Sequence, residues 1–415
     1  PEELDDADGP YWAGEYHSAC LVKFGTNGRE RKSAVPRKSE LIVLEYMMAF
    51  LNHWSRLELD DLSLKHQTYA YPSTENHWWQ EVDTCWGYLL ALKDDPDFKD
   101  RKLADGRSLQ EHYERTSEYM KHHMGQRARK GFLLEISSPS YFRRMHAMWY
   151  TILDLSPDKE LRDLARNTLD LFWAFWAEEQ ISGERGGGKV RSRGFSILDG
   201  TERVKLPAWI FFGTGQQDMS YIRSAEGGRQ LHVQYTALFS GYLPDPVIYE
   251  ILKDKKTSSP FSIMQRRLGR ENKGVQLVPK TDRHQPCLYN YEQADCLKYS
   301  WVTTGFVMGT VMRPPEPRDY WQRGTAQGWA HGLIIVGKDP ANMPERVIPI
   351  MIHINHRDIL SDQYAVQSKG SFMTRKLPEV ISRGQNNIIN RFGVFVSKGL
   401  EPDHSGDFIF IDSPK

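Results

Sequence analysis

The chain has 415 residues, 40% hydrophobic and 26% charged, which is enough apolar material for a large core and suggests about two domains. Its 54 Lys and Arg are balanced by 54 Asp and Glu, so there is no net field to draw in nucleic acid, and any anionic ligand has to be held by local basic groups. No apolar run of membrane-spanning length is present: the most hydrophobic stretch, Leu41 to Leu51, is interrupted by Glu45.

In chain order, residues 1–260 read as helices joined by polar loops. The stretch 38–54 is rich in Leu, Met and Ala. Residues 77–92 carry Trp78, Val82, Cys85, Trp86 and Leu89 at helical spacing, and 108–129 predicts a charged, exposed helix. The clearest pattern opens at Pro157, a residue suited to a first turn. Leu161, Leu164, Ala165, Thr168, Phe172, Phe175 and Trp176 then form one apolar stripe, and Gly183 closes it. A further helix is expected over 229–240, then the breaker Leu243-Pro244-Asp245-Pro246 and a short helix to Leu252. Helices of this length with short loops imply antiparallel hairpins.

The polar, basic segment Lys253 to Lys280 reads as a connection. Beyond residue 285 the period changes. Trp301 to Val311, His331 to Val336, Val347 to Ile354, Phe392 to Val396 and Phe408 to Ile411 are short β-branched and aromatic runs punctuated by Gly, Pro, Asn and Asp, the pattern of antiparallel strands. The fold class is α+β, with a helical domain over 1–260 and an antiparallel β domain over 261–415.

Four segments carry possible chemistry. Residues 73–79, Ser-Thr-Glu-Asn-His-Trp-Trp, place an amide (Asn76), an imidazole (His77) and two flat rings (Trp78, Trp79) together at a predicted helix start. Asn76 either caps the helix or binds a carboxylate. The two indoles either receive pyranose rings or pack in a wall. In the second segment, Gly131 to Tyr141, a glycine-bounded loop delivers Glu135 and opens a helix with Tyr141 in its first turn, where Tyr141 is either catalytic or a core tyrosine.

The third, Gly183 to Gly194, matches GxxxxGK but has Val190 where a phosphate-binding loop needs a hydroxyl, and it follows a helix instead of a strand. It reads as a flexible loop presenting Lys189, Arg191 and Arg193, either solvated or set to grip a carboxylate or sulfate. The fourth is a scatter of histidines. His353 and His356 lie on opposite faces of a predicted strand, adjacent His122 and His123 diverge on a helix, and His232 and Tyr235 share a face. No ligand set for a catalytic metal results, no cofactor is implied, and an oxygen-ligand calcium site stays open.

Cys20, Cys85, Cys287 and Cys296 lack zinc spacing, although a 287–296 disulfide fits an exported protein. The chain opens without a charged and apolar leader, as expected of a cytosolic protein or of a secreted or periplasmic one whose signal has been removed.

Taken in order, Glu75-Asn76-His77, the Gly131, Glu135, Ser137-Ser138 and Tyr141 segment leading to Leu153-Asp154, the helix 158–181 and the Gly186-Gly187-Gly188, Arg191, Arg193 loop resemble the landmarks of polysaccharide lyases of the heparinase II/III-like and alginate-lyase-like group. The resemblance spans roughly residues 70–255. It implies an (α/α) toroid, here short for a complete ring, followed by an antiparallel β-sandwich, and it implies β-elimination on a uronate-containing anionic polysaccharide.

On that resemblance Asn76 and His77 neutralise the substrate carboxylate with Arg191 or Arg193 assisting, and Tyr141 or His77 is the base. Trp78, Trp79 and Glu135 line the substrate site. Two other readings remain: an inverting glycoside hydrolase using two of Glu75, Asp83 and Glu135, and a non-catalytic glycan-binding protein.

Overall fold

A computed structural model describes residues 35–54, 75–130, 138, 142–190, 204–214, 236–254, 258–266, 297–312, 329–330, 332–336, 344–352, 363–376 and 391–411. Among these are seven helices: α1 (Arg37–Trp54), α2 (Glu75–Leu92), α3 (Leu109–Lys130), α4 (Phe142–Leu155), α5 (Lys159–Glu179), α6 (Lys205–Phe212) and α7 (Pro246–Lys253). One apolar core runs through all seven, with Trp79, Trp86, Trp149, Trp173 and Trp176 among its largest fully buried side chains.

α2 is the innermost helix, and from Trp79 to Leu92 only Cys85 is less than fully buried. Ion pairs fasten the outer ends: Arg37 lies 2.8 Å from Asp95 and 3.1 Å from Glu40, and Arg101 lies 2.8 Å from Glu45.

Local chemistry sets the ends of α5 differently from expectation. The cap is Asp158, in extended conformation, whose carboxylate accepts from the backbone N–H of Glu160 and Leu161 at 2.9 and 3.3 Å. Pro157 therefore lies ahead of the cap and not in the first turn. At the other end the helix stops at Glu179 because the chain enters a two-stranded ribbon, β1 (Gln180–Ile181) and β2 (Glu184–Arg185). Gly183 does not cap the helix. With Ser182 it makes the ribbon's turn, both residues having positive φ (49° and 80°), as a mirror-image hairpin turn requires.

α3 also departs from the exposed helix expected. It buries Leu109, His112, Tyr113, Thr116, Tyr119, Met120, His123, Met124 and Arg127. The inward stripe has helical spacing, but it is built partly from polar and charged residues, so hydrophobicity alone does not reveal it. At α7, Asp245 caps by accepting from Val247 N–H at 2.9 Å and Pro246 follows directly. Of the helix expected over 229–240, residues 236–240 lie among the described residues, and of these 236–238 are helical.

The main sheet has six antiparallel strands. Their chain order is β4 (Phe261–Arg266), β5 (Leu297–Val302), β6 (Phe306–Met312), β8 (Leu333–Val336), β9 (Glu345–Ile352) and β12 (Arg391–Val396), and their spatial order is β12-β9-β8-β6-β5-β4. The run expected as one strand over 301–311 is a hairpin, folded where Thr303 Oγ1 accepts from Gly305 and Phe306 N–H. The connection expected over 253–280 contains β4, because Phe261 and Ile263 alternate inward against Ile181, Val302 and Val307.

The hairpin of β10 (Gln363–Ser368) and β11 (Ser371–Lys376) packs against β6, with Gln367 Nε2 donating to Met308 O at 3.0 Å. A separate hairpin joins β13 (Asp403–Ser405) to β14 (Phe408–Phe410). Finally β3 (Lys189–Val190), from the helical part of the sequence, pairs with β7 (Trp329–Ala330). The architecture is thus α+β, and among the described residues every pairing is antiparallel.

Candidate functional site

Asn76 is the second residue of α2 and fully buried, so it sits inside the first turn and not ahead of it as a cap. At 3.6 residues per turn, Asn76, Gln80 and Asp83 fall on one face, bordered by Thr84, and all four are buried. Such a polar strip on the innermost helix is costly to desolvate unless something polar meets it.

Trp79 borders the strip on its other side, and of the two roles open to it from the sequence the structure shows the packed one. Its ring is almost fully buried and stacks on His123 of α3, with centroids 4.2 Å apart and 23° between planes, so it packs in the wall. His123 Nε2 accepts from Arg127 Nε at 3.2 Å, and burial, followed by His122, pushes its pKa down to about 3. At neutral pH it is an uncharged acceptor.

Two other buried groups were not singled out from the sequence. Glu81, on α2 but turned away from the Asn76 strip, is pushed up to about 8 by burial, so its carboxyl stays protonated at neutral pH. On α4, His146 Nε2 lies 2.9 Å from the Tyr150 hydroxyl, which accepts from Trp173 Nε1 at 3.1 Å. Burial holds His146 down to about 3. Spacing could have placed both on inward faces; their chemistry depends on burial, which spacing does not report.

The glycine-rich segment differs most from expectation. Instead of a flexible basic loop, residues 184–189 are buried, Lys189 included. Glu179, the last residue of α5, accepts at Oε2 from Arg185 Nε (2.8 Å) and Lys298 Nζ (2.7 Å), and at Oε1 from Ser300 Oγ (2.7 Å). Burial opposes its ionisation, but Lys298 and Arg185 outweigh that and hold its pKa at about 2. Burial and then Arg185 press Lys298 down to about 8 despite the attraction of Glu179.

A second carboxylate, Glu184, accepts from Lys205 at 3.1 Å and Arg346 at 2.9 Å. Burial opposes its charge too, yet Lys205 and Arg346 keep its pKa below the ordinary value. Lys189 Nζ donates to Arg185 O at 2.6 Å. These residues come from α5, β2, β3, α6, β5 and β9, so the cluster ties the helices to the sheet.

Of the residues expected at the site, Asn76 and Trp79 are brought to adjoining faces of α2. His77 and Trp78 are on the same helix, but their side chains lie outside the described residues, as do Glu135, Tyr141, Arg191 and Arg193. The paired His353 and His356, His232 with Tyr235, and the Cys287–Cys296 pairing also lie outside them, while Cys85 is a free thiol.

Among the described residues no group of three His, Cys, Asp or Glu is placed to hold a metal ion, and no helix is long and apolar enough to cross a membrane. Comparison of the chain with protein-family models, curated proteins and solved structures finds no match.

Proposed function

We propose that the protein is a polysaccharide lyase of the heparinase II/III-like and alginate-lyase-like kind, cleaving a uronate-containing anionic polysaccharide by β-elimination. In this reading the helices form an (α/α) toroid short of a complete ring, the strands form a sandwich, and the protein is exported to meet its polymer. The observation that carries it is Asn76: an amide buried in the first turn of the innermost helix, heading a polar strip, with His77 next in the chain. α4, whose first residue directly follows Tyr141, packs against this same helix, which supports bringing the phenol to the amide.

The chemistry explains why such groups are needed. The C5 proton lies beside an ionised carboxylate, and removing it builds a second negative charge on that group, so donors have to be aimed where the charge grows. Asn76 and His77 supply them, with Arg191 or Arg193 assisting. Tyr141 or His77 takes the C5 proton, the C4–O4 bond breaks as the C4=C5 double bond forms, and the departing O4 receives a proton.

A hydrolase would need two carboxyl groups facing one bond. Of the three acids that reading draws on, Asp83 is buried on α2, and the side chains of Glu75 and Glu135 lie outside the described residues.

The test is a panel of uronate polysaccharides read by the ultraviolet absorbance of the unsaturated product. Tyr141→Phe should abolish that product while polymer binding persists. Reducing ends without absorbance would establish hydrolysis, and binding without turnover would establish a glycan-binding protein.

A further inference from the structure

Among the described residues the apolar core of the helices includes no strand of the main sheet. The sheet's own small cluster, Val302 and Val307 with Phe261 and Ile263, receives only Ile181 from the chain that follows α5. Between these two apolar bodies lies a polar joint, in which Glu179 at the end of α5 takes Lys298 and Ser300 of β5, and Glu184 takes Arg346 of β9.

One oxygen, Glu179 Oε2, receives both Lys298 Nζ at 2.7 Å and Arg185 Nε at 2.8 Å. The glycine crossing on β6 seals the carboxylate. A Cβ on Gly187 would lie 2.8 Å from Glu179 Oε1 and from Ser300 Oγ, so backbone and not water fills that side. Two cations on one oxygen, out of water, are not equivalent: a guanidinium stays charged, whereas an amine can give up its proton.

The groups around Lys298 bear on that step. Burial disfavours its charge most, Arg185 and then Lys189 repel it, and Glu179 attracts it. Its neighbours across the sheet, Gln265 of β4 and Val311 of β6, carry no charge, and neither does Ser300 on its own strand. The outcome is an amine brought from its ordinary 10.5 down to about 8, beside a Glu179 that at about 2 stays ionised throughout.

We propose that Lys298 makes the joint between the helices and the main sheet proton-sensitive. Loss of its Nζ proton to solvent leaves Glu179 paired with Arg185 and hydrogen-bonded by a neutral amine, and tightens the joint. A joined state that holds the proton less firmly than the parted one is favoured as pH rises from about 8 to 10.5, by about tenfold per pH unit. Between 4.5 and 8 neither Glu179 nor Lys298 titrates in either state, and the joint keeps its weaker, fully charged form.

The experiment follows amide hydrogen exchange of the full chain at pH 7 and pH 9, corrected for the intrinsic rate, in the native protein, Lys298→Met and Lys298→Arg. The amides read are Ile181 and Glu184 of the β1–β2 ribbon and Gly186, whose N–H donates to Glu179 O. Their protection should rise about tenfold between the two pH values in the native chain, while that of α2 stays within about twofold. Lys298→Met carries no charge and Lys298→Arg carries one at every pH, so both variants should be level.

No rise in the native chain, or a rise of the same size in either variant, overturns the proposal. An equal rise in α2 also overturns it, because the whole protein and not the joint would then be responding. Should Lys298→Met fail to fold, Lys298→Arg carries the comparison. The NMR shift of the Lys298 side chain provides a reading without substitution: a midpoint near 8 supports the proposal, and one at the ordinary 10.5 overturns it. No substrate is used, so the result is independent of the lyase reading.

Discussion

Gly309 of β6 and Gly187 of the glycine segment meet backbone to backbone: a Cβ on Gly309 would lie 2.1 Å from the Gly187 Cα. The atoms nearest a Cβ on Gly309 are backbone atoms of Gly187 and Gly188 that cannot swing away, while at Gly187 a Cβ would meet the Glu179 and Ser300 side chains at 2.8 Å on a backbone of positive φ (82°). Gly309→Ala should therefore destabilise the protein by at least about 1–3 kcal/mol, the usual cost of overpacking, seen as a lower midpoint in thermal or urea unfolding. An unchanged midpoint would mean that the crossing is looser than described.

Glu179 makes a prediction about acid. Its ordinary pKa of 4.5 is lowered to about 2 in the folded state, so the stabilisation is complete above 4.5 and is lost as pH falls from 4.5 through 2. Glu179→Gln should flatten that part of the stability profile. At neutral pH it should cost about 3 kcal/mol or more, because Lys298 and Arg185 are left buried beside an uncharged partner.

Glu81 predicts the opposite sign. Its carboxyl is raised from 4.5 to about 8 by burial, so folding is disfavoured progressively as pH rises from 4.5 to about 8, where the unfolded chain is ionised and the folded one is not. Glu81→Gln removes that titration. At about 1.4 kcal/mol per pH unit the variant should gain about 3 kcal/mol at pH 7 and much less at pH 4.5. Denaturant unfolding at the two pH values checks this, and a loss of stability at pH 7 would show that the ionised carboxylate has a partner.

Asp158 is a simpler case. Its side chain satisfies two backbone donors at the start of α5 and lies 2.7 Å from Lys121. Asp158→Ala should cost about 1 kcal/mol in thermal unfolding, the usual worth of such a cap.

Asn76 tests the chemistry directly. If its amide neutralises the substrate carboxylate, Asn76→Ala should lower kcat about a hundredfold, the usual effect of losing one donor at a developing charge, with the fold retained by circular dichroism. Loss of the fold without a measurable active fraction would assign Asn76 to packing.

Most element types were legible because their periods are local. The 3.6-residue stripe of α5 and the β-branched runs of β8, β9 and β12 fall close to where the sequence puts them, with Leu169, Trp173 and Ala177 added to the stripe. α3 was misread as exposed because its inward face includes His112, Thr116, His123 and Arg127, which count as polar whatever they face. β4 was missed because Phe261-Ser-Ile-Met-Gln-Arg is short and lies inside a basic, polar stretch. The role of Trp79 stayed open until packing put His123 against its ring.

By itself the sequence determined the α+β class, the placing of the helices ahead of the main sheet and the grouping of Asn76, His77 and the two indoles at one helix start, since each depends on residues near one another in the chain. Only the tertiary structure decided that residues 184–189 of the glycine-rich segment are buried against the sheet. Glu179 meets Lys298 and Ser300 across more than a hundred residues, and Gly187 meets Gly309 across a similar distance. Whether a Lys or Glu faces water or another charge is set by burial and by partners brought from distant strands, and no local pattern encodes that.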